Sequence, residues 1–116
     1  MGRHFGYITP RLLPRKHPTM LDIAWAAGIY EGEGTTCFNN KTEQVVVSQK
    51  DPWILKKLRE FFGGSVNPKT GGGFNWLISG SLARGFLMTI FTFQSPWRKE
   101  QIKKCLWHLS YREKGD

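Results

Sequence analysis

The run from Met20 to Tyr30 constrains this chain more than any other stretch. Its eleven residues include one charged side chain, Asp22. Thr19, with Asp22 three residues on, predicts an N-cap and capping box, and hence a helix. That helix is apolar on nearly every side and must be covered on both flanks. It is too short to cross a membrane, which needs ~20 residues. Small residues gather at its far end, Ala26, Ala27, Gly28 and Gly32, where another backbone can come close. It then stops in Glu31-Gly32-Glu33-Gly34. A doubly buried helix that delivers carboxylates at its end predicts a subunit or domain interface opening onto an active site.

The chain has 116 residues, enough for one compact domain and not two. Its net charge of +8 comes from 17 lysines and arginines against 9 acids. A polyanionic partner follows, and nucleic acid is favoured over a membrane surface because no basic amphipathic helix or lipidation signal is found. Cys37 and Cys105 have no CxxC spacing, which predicts reduced thiols and an intracellular protein. His4, His17 and His108 are scattered and form no metal-ligand pair. The absence of a signal peptide or apolar span places the expected site of action in cytoplasm, nucleoid or an organelle matrix.

Residues 1–18 carry Arg3, Arg11, Arg15 and Lys16 with three prolines and no acid. They read either as a tail or as a basic arm along phosphates, with one domain from 19 to 116. Two strands, 35–40 and 43–50, follow around a turn at Asn40-Lys41-Thr42. Alternation sets Val45 and Val47 on one face and Gln44, Val46 and Ser48 on the other. In the first strand Thr36 and Phe38 oppose Thr35, Cys37 and Asn39. Asp51-Pro52 caps a second helix with an apolar stripe through Trp53, Leu55, Leu58 and Phe62, ended by Gly63-Gly64. A second hairpin joins 65–69 to 73–79. Phe74, Trp76 and Ile78 face inward there, against Asn75, Leu77 and Ser79. Pro68 predicts an edge strand or a bulge. A helix over 81–93 and another from the Ser95-Pro96 cap to about Tyr111 complete the chain. Trp97, Trp107, Phe86, Phe91 and Phe93 are expected in the core.

Hairpins alternating with helices predict an α+β fold, an antiparallel sheet covered by helices on one face. The open face carries short polar side chains suited to base edges. Cys37, Asn39, Lys41, Gln44, Ser48, Asn67, Lys69, Asn75 and Leu77 are its candidate DNA contacts.

Residues Ala26 to Glu33 and Gly34 resemble, place for place, the signature motif of the LAGLIDADG homing endonucleases. Ala26 stands in for the first leucine and the two glutamates for the aspartates. The αββαββα order extends the resemblance over residues 19 to 111. The resemblance implies a saddle-shaped sheet on duplex DNA. It implies Glu33 as the metal-binding acid, with the Gly32 carbonyl assisting, and Gln49 beside the scissile phosphate. It also implies a basic residue before the last helix, here Arg98 with Lys99 as the alternative. Parity puts Gln49 on the face of Val45 and Val47, so it has to emerge at the strand end. The expected cofactor is Mg2+, with Mn2+ or Ca2+ able to substitute in binding. One motif gives one acid, so the resemblance implies a homodimer packed through Ala26, Ala27, Gly28 and Glu31. Glu31 itself is expected in a structural hydrogen bond near the helix end. A dimer would read a pseudo-palindromic site of about two helical turns and leave short 3′ overhangs. The competing readings are a non-catalytic DNA-binding regulator of the same fold and a maturase acting on intron RNA.

Overall fold

A computed structural model describes residues 13–39 and 42–107. Helix α1 spans Met20–Glu33, followed by β1 (Gly34–Asn39), β2 (Thr42–Gln49) and α2 (Pro52–Phe62). Strands β3 (Ser65–Pro68) and β4 (Phe74–Ser79), α3 (Gly80–Ile90), a 3-10 turn over Phe91–Phe93 and α4 (Pro96–Leu106) complete it. The architecture is α+β, with one antiparallel sheet in the order β1-β2-β4-β3. The caps start the helices where expected. Thr19 and Asp22 form a full capping box. Asp51 accepts from the Trp53 amide, and Ser95 accepts from the Arg98 amide. α1 runs three residues past Tyr30 and ends on Glu33 itself. The fourth helix ends at Leu106, earlier than expected, with Trp107 as its C-cap, and residues 108–111 of the expected extension lie outside the described residues.

Strand parity holds across the sheet. Thr36, Val45, Val47, Val66, Trp76 and Ile78 are buried beneath the helices, with Leu55, Leu58, Phe86, Leu87 and Ile90. Pro68 ends β3 at the sheet edge, where its missing N–H costs no ladder bond. Several aromatic expectations fail. Trp53, Trp97 and Trp107 are 62%, 65% and 54% exposed, and Phe93 is 48% exposed. Periodicity marks which residues share a helix side but not whether another element covers that side, and among the described residues none covers these four rings fully. Phe86 alone of those expected phenylalanines is deeply buried, edge-on to Tyr30, Phe62 and Trp76.

The flanks of α1 also differ from expectation. Ala26 and Ala27 turn into the protomer's own core and have no surface to offer a second copy. The outward stripe is Leu21, Ala24, Gly28 and Gly32. A helix apolar all round does not reveal which flank its own domain takes. Part of the basic N-terminal segment lies on α2. The amides of Arg15 and Lys16 both donate to the Glu60 carbonyl, and Lys16 Nζ pairs with Glu60 at 3.0 Å.

The Asp22 carboxyl is held below the usual range, first by the Thr19 amide and then by its hydroxyl. A carboxyl so depressed stabilises the fold above its unfolded pKa, and that contribution vanishes as pH falls through the lowered value. We expect the urea midpoint to fall on acidification below the ordinary aspartate pKa of about 3.9. Asp22→Asn should remove that part of the slope, which parallel urea titrations at stepped pH will read.

Candidate active site

Glu33 is the last residue of α1, and Gln49 is the last of β2. The β1–β2 register pairs Gly34 with Val47, so chain order brings the helix end to the sheet end. Both residues line one cleft of about 340 Å³, with Ser48, Lys50, Lys69 and the Gly71–Gly73 turn. Gln49 emerges there because the strand ends, which resolves its inward parity. The turn closes tightly, the Gly72 amide donating to Lys69 and the Lys69 amide to Gly73. Gly73 has φ +81°, and a Cβ there would press on the Gln49 carbonyl at 3.0 Å. Only glycine lets the turn approach so closely.

Glu33 is exposed, and no hydrogen bond or ion pair engages its carboxylate among the described residues. It sits at the negative end of the α1 dipole, in the turn whose carbonyls, Gly32's included, lack intrahelical partners. Hard oxygen donors of this kind suit Mg2+ or Ca2+. No group of three or more His, Cys, Asp or Glu gathers among the described residues. The donor set therefore fits a divalent ion in kind, with Glu33 as the one acidic residue among the described residues that line the cleft. Lys50 and Lys69 add two ammonium groups to the same cleft. A carboxylate able to hold a cation and two ammonium groups able to hold an anion thus share one cleft.

Arg98 is placed differently from expectation. It is 8% exposed and does not line the cleft. Its Nε and Nη2 donate to the Glu31 carbonyl at 3.2 and 3.1 Å, and Nη1 donates to Gln101 at 2.7 Å. Its guanidinium stacks over Tyr30, 5.0 Å from the ring centroid. Lys99 reaches the Phe91 ring instead, at 5.6 Å. Neither touches the Glu33 cleft, because the head of α4 meets α1 from the helical side. Sequence reasoning missed Lys50 at the site and gave Lys69 only to DNA. The available signals were a lysine directly after Gln49 and three successive glycines two residues beyond Lys69. Glu31 faces away from the cleft. Its carboxylate accepts from the Ser95 amide and hydroxyl, both at 2.8 Å. The Ser95 amide bond is the main cause holding its pKa below the usual range. Burial pushes the Tyr30 phenol up.

On the open sheet face the rows align as parity predicts. Gln44 pairs with Ser79, Val46 with Leu77 and Ser48 with Asn75, and Asn75 with Asn67 beyond. The Ser48 hydroxyl hydrogen-bonds to Asn75, and Asn67 donates to Ser65 at 3.4 Å. Lys41 lies outside the described residues, as do the side chains of Cys37 and Asn39. The backbones of Cys37 and Asn39 in β1 pair with Gln44 and Thr42 of β2.

The sequence matches no family model and no curated protein at a significant level. The fold does have solved counterparts. The homing endonuclease I-CvuI, in complex with its target in the presence of Ca, matches with a TM-score of 0.61 at 17% identity. The same enzyme on an I-CreI target with Mg, its DNA not cleaved, matches at 0.59 and also 17% identity. In both, 72% of this chain is covered and it spans 62% of the I-CvuI chain. The homing endonuclease I-TnaI matches at 0.58 with 21% identity, covering 80% of this chain and 74% of that one. The likeness is one of architecture: this chain has the αββαββα fold of the homing endonucleases.

Proposed function

We propose that this chain is a protomer of a site-specific DNA endonuclease of the single-motif LAGLIDADG homing type. The observation that carries the reading is the unpaired Glu33 carboxylate sharing one cleft with Gln49, Lys50 and Lys69, at the margin of a polar sheet face. Glu33 and the Gly32 carbonyl would hold a divalent ion, Mg2+ by preference. When bound, that ion offsets the negative charge building on the phosphate and aids the leaving oxygen. Gln49 orients the attacking water through its amide. Lys50 and Lys69 draw the phosphate in and stabilise its developing charge. Gln44, Ser48, Asn67, Asn75 and Leu77 face the bases.

Cutting both strands takes two such clefts, and α1 supports a homodimer. A Cβ at Gly28 or Gly32 would meet nothing within 4 Å in the protomer. A helical glycine costs about 1 kcal/mol relative to alanine, and no close contact inside the protomer calls for either one. Their use is explained by a second α1 backbone lying against the Leu21, Ala24, Gly28 and Gly32 stripe.

A cleavage screen over a randomised palindromic DNA library with Mg2+ tests the reading. The expected result is a restricted set of pseudo-palindromic sites cut to short 3′ overhangs. Binding should weaken with salt at a slope of about −0.9 per phosphate neutralised. Duplex binding without any cut would make the chain a DNA-binding regulator. Failure to bind duplex at all would point to intron RNA.

A further inference from the structure

We propose that Gln94, Ser95 and Arg98 form a clamp that positions Glu33, an inference that rests on Glu33 being the cleavage acid. α1 is an awkward helix to end. It closes on two glutamates, with no basic residue in its last turn. Negative charge there opposes the helix dipole, and the terminal carbonyls have no partner within the helix. Left to itself, such an end frays, and the carboxylate it carries loses its place.

The segment entering α4 supplies what α1 lacks, from 64 to 67 residues away in sequence. Buried Gln94 donates through Nε2 to the Ala27 carbonyl at 3.0 Å. Ser95 meets both oxygens of the Glu31 carboxylate, with its amide on one and its hydroxyl on the other. Arg98 closes a two-donor fork on the Glu31 carbonyl and lies flat over Tyr30. Cationic side chains near a helix C-terminus satisfy its last carbonyls in this way. Here the cation comes from another element. The grip spans the last two turns of α1 and ends two residues before Glu33. Arg98 has no place in the cleft, so it acts through Glu33 as a positioning residue.

The test uses the full chain as wild type, Arg98→Lys and Ser95→Ala. Lysine keeps the charge but cannot reproduce the fork. Cleavage at saturating DNA should fall by about 10²-fold in Arg98→Lys, the scale of a 1 Å misplacement, with the Kd for DNA unchanged. Amide exchange supplies a readout independent of cutting. The Gly34 amide, bonded to the Tyr30 carbonyl, should exchange faster in both variants, while Val47 and Trp76 keep wild-type protection. Wild-type cleavage in both variants overturns the clamp. So does unchanged Gly34 exchange, or acceleration shared by the whole core, which would make these contacts general scaffolding. If wild type itself cuts no DNA, the endonuclease reading fails, and selective Gly34 exchange still decides the clamp.

Discussion

Glu33→Gln should leave the fold and duplex binding intact while strand scission drops by about 10³-fold or more. The substitution keeps the side chain's shape and removes the one carboxylate among the described residues that line the cleft. Cation assistance contributes several kcal/mol of transition-state stabilisation, and each 1.36 kcal/mol is tenfold in rate. Folding should not suffer, because Glu33 is exposed and forms no pair among the described residues that the change would break. The phosphate contacts proposed for Lys50 and Lys69 would remain, so affinity should hold or rise slightly as one negative charge leaves. Parallel single-turnover cleavage and gel-shift titrations against one selected site give the answer. A mutant cutting at the wild-type rate would remove Glu33 from the mechanism.

Trp76→Ala should cost about 3–5 kcal/mol of stability, a large share of the 5–15 kcal/mol typical of a domain. Trp76 is fully buried on β4, opposite Val47 on one side and Val66 on the other. Its ring meets Phe86 edge-on at 5.2 Å. Its indole N–H donates to the Gly63 carbonyl at 2.8 Å, fastening the end of α2 to the sheet. Trp76→Phe should be milder, losing volume and leaving the Gly63 carbonyl unsatisfied, at about 1–3 kcal/mol. Urea unfolding of the three proteins measures both values. A loss below about 1 kcal/mol for alanine, the average for any substitution, would show that the core does not depend on this residue.

Element order was legible because each boundary carries its own local chemistry. Thr19, Asp51 and Ser95 announce helix starts, Gly63 a stop and Pro68 an edge. Alternation sorted the sheet faces correctly, down to Val45 against Gln44. What stayed hidden depends on contacts distant in sequence. Arg98 was readable as a cation near the last helix. Its partner is a carbonyl 67 residues earlier, which no spacing encodes. Lys69 and Lys50 meet at the cleft because β2 and the β3–β4 turn end at the same height. Ala26 and Ala27 were visible as small residues, but the side of α1 they occupy depends on where α3 and the sheet lie.

The exposed α1 stripe has a consequence for dosage. On the proposed pairing, a lone protomer is half an instrument. Below the dissociation constant of the pair, the amount of competent enzyme grows as the square of the amount of chain made. Tenfold less protein then gives about a hundredfold less cutting, by mass action alone. A host carrying few copies would be spared most breaks without any inhibitor. Abundance of the chain, rather than chemistry at Glu33, would set when its DNA is cut.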